Sequence, residues 1–572
     1  MEAHYDVAII GSGISGTMLG AILAKNGMRT LIIDASAHPR FAVGESMIPE
    51  GGVLLDILAA RYDIPELSYP ARVDMLINNV GTSSAGIKLS FGFAWNERHH
   101  AQRLDHIDSF PIVAPEAHLF RQDVDAYYLA LAARLGATVW QQTRIQHIQK
   151  EADAMILKTS KQDIRVSYVV DAAGYRSPIA KTFGLRDGAR GMQTRTRSMF
   201  THMTNVTLFE EAIAPIERTG MANHLSQSTL HQIFKGGWLW IIPFNNHPYS
   251  TNTLCSVGLQ LDLDEYGPAG DPEQEFQQLL ADYPSIGKHF TQAARVREWT
   301  VAPRLNYSSR ELIGDRYCLL GHAAGFVDPL FSRGLANTFE SVARLAPKLL
   351  RAVNENRFMR QDFASYEQYG LNVVATNDRL VANSFTAFDS FPLWNAWFRA
   401  WVAGSYIGVL RWRKIFDDYQ RTGDDDALER AIDETTYPGQ LSLESDRFEE
   451  MFDSACAHME AYKAGDRSES EVIDTLQRLY KEYRADLPVD FTDFSNRCVS
   501  RSSQEFANHL QQWAHTAPNG LSDKLDRGTV PLAFDFLDDY RYGDRVALAH
   551  QADEAYHSAR EAQKSSSRVP QE

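Results

Sequence analysis

An α/β fold is what the sequence predicts, on three observations. Residues 5–10 form a short run rich in Val and Ile that reads as a buried strand, and 17–25 has helical spacing that stops at Asn26-Gly27. A second apolar strand at 29–33 ends in Asp34 and closes a compact βαβ opening. Residues 198–260 alternate as sheet strands do, whereas the chain beyond Phe358 turns predominantly helical. The expected architecture is a Rossmann-type body with a sheet-rich substrate side over 1–357, a helical region over 358–550 that covers the substrate pocket, and a polar tail over 551–572.

The elements between follow the same signals. Residues 65–118 read as mixed, antiparallel or looped. Residues 120–135 have helical spacing, and Gly136 suits the C-terminal cap. Strand-like runs lie around Val139, Ile156 and Val166, and Val169-Val170-Asp171 ends a further buried strand. A short strand at 317–320 precedes a long helix at 335–353. The stretch 391–416 carries Trp394, Trp397, Trp401 and Trp412, as a packed helix whose rings also suit the wall of a pocket.

Bulk properties narrow the function. A chain of 572 residues with 44% hydrophobic content and a net charge of -16 is that of a large globular protein that repels nucleic acid and anionic membranes. No apolar run reaches spanning length, and the N-terminus lacks a basic region followed by an apolar core, so a cytoplasmic location is the expectation. Cys255, Cys318, Cys456 and Cys498 form no CxxC pair, and His99-His100 reads as surface, so neither a metal site nor a disulfide framework is expected.

The chemistry begins at Gly11-Ser12-Gly13-Ile14-Ser15-Gly16, which fits G-x-G-x-x-G between a strand and a helix. Gly11 permits the tight turn, Gly13 lets a pyrophosphate approach the backbone, and Gly16 lets helix and strand pack closely. Asp34 is placed to accept a hydrogen bond from an adenosine ribose. The motif suits FAD and NAD alike.

Two later segments favour FAD. Asp171-Ala172-Ala173-Gly174-Tyr175-Arg176-Ser177 follows a strand, and 317–330 runs from a strand through Gly321 to Asp328-Pro329. In order and spacing they resemble the FAD-contact segments of the para-hydroxybenzoate hydroxylase superfamily. Arg121, four residues before Asp125, resembles that superfamily's arginine beside the flavin, and an ion pair with Asp125 is an equal reading. Where those hydroxylases carry Gly-Asp, this chain has Gly321-His322. The difference suits a looser flavin, received already reduced. No second dinucleotide fingerprint is present, which points to a separate flavin reductase as the source of FADH2.

Trp238-Leu239-Trp240-Ile241-Ile242-Pro243 matches W-x-W-x-I-P, and Phe326-Val327-Asp328-Pro329-Leu330-Phe331-Ser332-Arg333-Gly334 matches F-x-x-P-x-x-S-x-G. With Lys88 in Gly86-Ile87-Lys88-Leu89 and the opening Gly44-Glu45-Ser46-Met47-Ile48-Pro49, they resemble the flavin-dependent halogenases, and most nearly the bacterial phenol halogenases of the phloroglucinol type. The resemblance runs to about Ser500. It implies that FADH2, O2 and chloride or bromide form hypohalous acid by way of a flavin hydroperoxide. Trp238 and Trp240 then wall the flavin from the substrate, and Lys88 is the catalytic lysine, as an ammonium or as a haloamine. Pro243, Phe331 and Ser332 belong to the catalytic motifs. Ser46, Asp171, Gly174, Asp328, Pro329 and Gly334 belong to the flavin side. Tryptophan-directed members carry a glutamate where this chain has Phe331, so a phenol is the expected substrate, with Glu116 or His118 as candidate activating groups. An aromatic hydroxylase of the same fold, a non-halogenating flavin protein and a reductase of isoprenoid double bonds are the alternatives.

Overall fold

The computed structural model describes residues 4–188, 191–221, 223–434, 446–487, 489–497 and 512–513. The expected polar tail and Cys498 lie outside these residues. The opening strand, His4–Ile10, pairs in parallel with Thr30–Ile33 on one side and with Asp163–Asp171 on the other. Val7, Ala8 and Ile9 have no exposure at all, as expected of a parallel sheet covered on both faces. Tyr317–Leu319 and Thr138–Trp140 extend this sheet in parallel at its two sides. The helix Ile14–Lys25 begins three residues before the apolar spacing suggests, because it starts inside the glycine loop.

The second sheet runs in the order Ala294–Arg295, Thr196–Thr204, Cys255–Asp262, Gly237–Pro243, Ser228–Phe234, Gly86–Trp95, Ile107–His118. Alternate residues point to opposite faces. Leu230, Leu239, Ile241 and Leu259 pack with Phe276 and Leu279 of the helix Pro272–Asp282. Phe91, Phe93, Trp238 and Trp240 form the other face and pack with Trp394, Trp397 and Trp401.

Those three tryptophans belong to the 32-residue helix Phe391–Thr422. Ser390 caps it by accepting from Leu393 N–H, and Gly423, at φ +63°, ends it. Trp412 on the same helix belongs to the other core, the one that also holds the dinucleotide-binding sheet. One helix thus crosses both cores. A helix that the sequence pattern does not announce, Pro49–Tyr62, lies beside it. Cys255, Cys318 and Cys456 are buried and unbridged. Among the described residues no helix is long and apolar enough to cross a membrane, and no cluster of His, Cys, Asp and Glu suits a metal ion.

Residues 494–497 latch the helical region to the sheet. Asn395 and Arg399 donate to the carbonyls of Phe494 and Asn496, and Arg497 donates to those of Leu104 and Ile107. Asp108 sits at this seam, fully buried, with neither carboxylate oxygen hydrogen-bonded among the described residues. Burial lifts its carboxyl to about 7, against the pull of Arg399 and Arg497. An unfolded aspartate titrates near pH ~3.9. Between those values the folded chain keeps a proton that the unfolded chain has lost, so stability falls as pH rises. Asp108→Asn removes this titration. Denaturant titrations from about pH 5 to about pH 7 should lose up to about 1.4 kcal/mol per pH unit less for the variant. Equal slopes would mean that Asp108 is ionised in the fold.

Candidate active site

The glycine loop separates into two kinds of position. Gly11 has φ +105°, and a Cβ there would lie 2.7 Å from the Ala172 carbonyl oxygen; one on Gly16 would lie 2.1 Å from the Gly11 oxygen. Packing of helix on strand demands both. A Cβ on Gly13 would meet only Arg40, at 3.8 Å. Gly13 thus faces open space at a helix N-terminus, where a pyrophosphate reaches backbone N–H groups. Asp34 accepts from Ser12 N–H at 2.8 Å, Ser12 Oγ at 2.7 Å and Ser36 N–H at 2.8 Å. Burial opposes its charge, yet these bonds and Arg40 hold its carboxyl below the usual range. An ionised acid beside an open glycine loop fits the adenosine end of FAD.

Other residues of the expected flavin side serve the loops. Asp171 accepts from Ala173 N–H, Ile179 N–H and Ser177 Oγ, and so ties down the turn in which Gly174 takes φ +64°. Arg121 pairs bidentately with Asp125 at 2.7 and 3.0 Å and donates to the carbonyls of Val43 and Gly44. The ion-pair reading of Arg121 is the one seen, with the added task of anchoring the 43–44 loop. His322 packs edge-on to Phe326.

The loop 326–334 is held at both ends. Leu330 N–H donates to Asp328 Oδ1 at 3.0 Å, Ser332 N–H donates to the Pro329 carbonyl, and Ser332 takes a left-handed φ of +54°. Gly334 then opens the helix Gly334–Asn354. Removal from water lifts the Asp328 carboxyl to about 7. Phe331 faces Trp401 across the site, with ring centroids 4.3 Å apart.

A row of rings crosses the second sheet. Phe200, Gly258, Trp240, His231 and Phe93 are successive cross-strand partners. The Trp240 ring lies flat on Gly258, where a Cβ would come within 2.0 Å of it, and its Nε1 donates to Ser256 Oγ at 3.0 Å. Trp238 packs 5.7 Å from Trp240 and is 1% exposed. Pro243 closes their strand beside Cys255.

Lys88 is fully buried. Its strand pairs Lys88 with Glu116 and then Ser90 with Pro111, a slip that sets extra residues of the neighbouring strand opposite Leu89. Lys88 and Phe91 meet on one side of the strand, with Nζ 3.5 Å from the ring centroid. Nζ also donates to Ser46 Oγ at 2.9 Å and to the Met47 carbonyl at 3.0 Å. Burial pulls the ammonium well below the ordinary lysine range, against Glu116 and Glu50. On the far side of Phe91 a small cavity of about 20 Å³ is lined by Ile48, Glu50, Phe91, Ile112 and Trp401, without Lys88 itself.

Comparison with known proteins agrees with this arrangement. The family model described as tryptophan halogenase matches residues 111–396, and an FAD binding domain model matches 4–43. Tetracycline 7-halogenase of Kitasatospora aureofaciens is 38% identical over 520 residues, 90% of this chain and 93% of that one. The chain belongs to the tryptophan halogenase family. Monodechloroaminopyrrolnitrin halogenase PrnC of Pseudomonas fluorescens is 39% identical over 84% of the halogenase and 85% of its own length. The crystal structure of halogenase PltM in complex with phloroglucinol and FAD superposes with a TM-score of 0.85 at 46% identity, covering 86% of this chain and 99% of that one. The halogenase is therefore an FAD-dependent enzyme that halogenates an aromatic ring, with reduced flavin supplied by a separate reductase, as is general in the family.

Several residues around Lys88 carry no motif. Glu50 stands in the first turn of Pro49–Tyr62, 3.6 Å from Arg333. Glu116 packs against Gly52 of the same helix, and burial keeps its carboxyl well above the ordinary range. Thr229, on Ser228–Phe234, contacts both Ser46 and His118. Gly13→Ala isolates the cofactor loop. Apoprotein stability should stay within about 0.5 kcal/mol, since the methyl enters open space, while FAD affinity should fall at least about tenfold in a fluorescence titration. Unchanged affinity would remove Gly13 from the pyrophosphate site.

Proposed function

We propose that Lys88 is the residue that meets hypohalous acid, and that the ring halogenated beside it is a phenol. Reduced FAD with oxygen and halide supplies the hypohalous acid. The observation that carries the reading is a fully buried lysine whose Nζ lies against Phe91, a wall residue of the adjoining cavity. Lys88 as an ammonium hydrogen-bonds the hypohalous oxygen and polarises the oxygen–halogen bond. The ring carbon then takes the halogen, and the oxygen leaves as water with the lysine proton. The ring proton restores the ammonium. Atoms and charge balance: one ring hydrogen is replaced, and one water forms.

A phenol suits the polar groups present. Phe331 stands where tryptophan-directed relatives place a glutamate, so the ring must supply its own activation, and a phenolic oxygen does so at its ortho and para carbons. Of the buried acids near Lys88, Glu50 lines the cavity, and burial raises its carboxyl above the ordinary range. A raised carboxylate is a stronger base, so Glu50 is the proposed acceptor of the phenolic proton. Glu116 and His118 face Lys88 and serve its electrostatics. Trp238, Trp240 and His231 form the wall that keeps the substrate from the flavin, which disfavours direct oxygen transfer.

The test supplies the purified protein with FAD, NADH, an unrelated flavin reductase, air, and chloride or bromide, with phenols led by phloroglucinol. Mass spectra should show halogen-isotope patterns, and Lys88→Ala should lower product by at least about a hundredfold while flavin oxidation continues. A halide-independent gain of one oxygen would replace the reading with a hydroxylase.

A further inference from the structure

Lys88 stands at the head of a file of hydrogen bonds. Its Nζ donates to Ser46 Oγ at 2.9 Å; Ser46 Oγ lies 2.7 Å from Thr229 Oγ1, and Thr229 Oγ1 lies 3.3 Å from His118 Nε2. All four residues are buried, and they come from three strands and the loop before Pro49–Tyr62. None of the four lines the small cavity that Phe91 walls, and Lys88 meets that wall through the Phe91 ring.

A lysine ammonium only donates, so Ser46 must accept from it. At the other end, burial and the neighbouring Lys88 and His231 hold His118 well below the ordinary histidine range, so the ring is neutral. Its Nδ1 is buried without a hydrogen-bond partner among the described residues, so Nε2 makes the ring's hydrogen bond, as donor or acceptor with its tautomer. Thr229 joins the two ends in either case, and Ser46 Oγ turns a lone pair to Lys88.

This has a geometric consequence for the nitrogen. Two of its tetrahedral positions are spent on Ser46 and the Met47 carbonyl, both of which accept. The third position, with the Phe91 ring centroid 3.5 Å from Nζ, carries a hydrogen when Lys88 is an ammonium and a lone pair when it is an amine. Glu116 on the neighbouring strand and Glu50 on the adjacent helix are the charged groups that face Lys88, and they favour its charge without donating to it.

We propose that Ser46, Thr229 and His118 are positioning residues that aim the third tetrahedral position of the Lys88 nitrogen at the hypohalous acid. The proposal rests on the reading of Lys88 given above. Misaiming a reacting group by about 1 Å costs on the order of a hundredfold in rate. A lysine freed to rotate should therefore let hypohalous acid pass it unused. Loss of aim is thereby distinguishable from loss of fold, because the oxidant still forms and escapes.

The experiment compares wild type, Lys88→Ala, Thr229→Val, Thr229→Ser and Ser46→Ala. Each is measured for halogenated product per reduced flavin consumed, for free hypohalous acid trapped by monochlorodimedone, and for melting temperature. Thr229→Val keeps the shape and cuts the file. It should lower kcat for halogenation about tenfold or more, leave KM within about threefold, and raise the trapped oxidant as product falls. Thr229→Ser should restore coupling to within about twofold. If Thr229→Val does not fold, Ser46→Ala decides by the same readouts. Wild-type coupling in Thr229→Val, or in Ser46→Ala, with Lys88→Ala inactive would overturn the positioning role alone. An active Lys88→Ala would overturn the role of Lys88 and the proposal with it.

Discussion

A lysine cannot be taken out of water without partners, and most of the active-site architecture answers to that constraint. Burying an ammonium costs several kcal/mol even after relaxation. Here part of the cost is offset by two acceptors, an aromatic face and two carboxyl groups, which arrive from the loop before Pro49–Tyr62, from that helix and from neighbouring strands, although burial still draws the ammonium well below the ordinary lysine range. The partners hold the nitrogen, and their placement also fixes where it points.

The second constraint is separation. The oxidant is made at a cofactor and used at a substrate, and these must not touch. In the proposed mechanism a row of rings across the sheet provides the barrier, and its rigidity has identifiable sources. Trp240 is pinned on Gly258 and tethered by its indole N–H, while His231 Nδ1 donates to the Gly92 carbonyl and the ring stacks on Phe93. Phe331 and Trp401 continue the aromatic surface from the loop and from the helical region. No single motif builds this wall; it is assembled by strand register.

Local signals were legible in the sequence, and assembled ones were not. The glycine loop, Asp34, the tryptophan strand and the helical turn after Phe358 each follow from spacing within a short window. Lys88 stood out only through its motif context, because one lysine in an apolar run says little alone. The helix Pro49–Tyr62 escaped notice because Gly51 and Gly52 weaken helical propensity in its first turn. The structure gives their reason: Gly51 lies against Met47 and Phe339, and Gly52 against Glu116, where a Cβ would meet atoms at 3.3 and 2.8 Å. Ser46, His118 and Thr229 lie 72 and 111 residues apart in succession, so their contact depends on a sheet order that periodicity does not reveal. Arg121 and Asp171 also hold the loops that shape the site, a task the motif reading did not assign to them.

The helix Phe391–Thr422 has a consequence for how such an enzyme can change its substrate. Its first half packs over the aromatic sheet, and Trp412 belongs to the core that also holds the dinucleotide-binding sheet. It acts as a keel common to both halves of the molecule. Tilting it to admit a bulkier ring would drag on the cofactor half, which cannot move without loosening its own packing. New substrates must therefore be won by trimming or swapping side chains in place, at positions such as Ile112 or Trp401, with the backbone left where it is. The lineage can vary its pocket residue by residue, while the frame that carries the pocket stays tied to the chemistry it shares with its relatives.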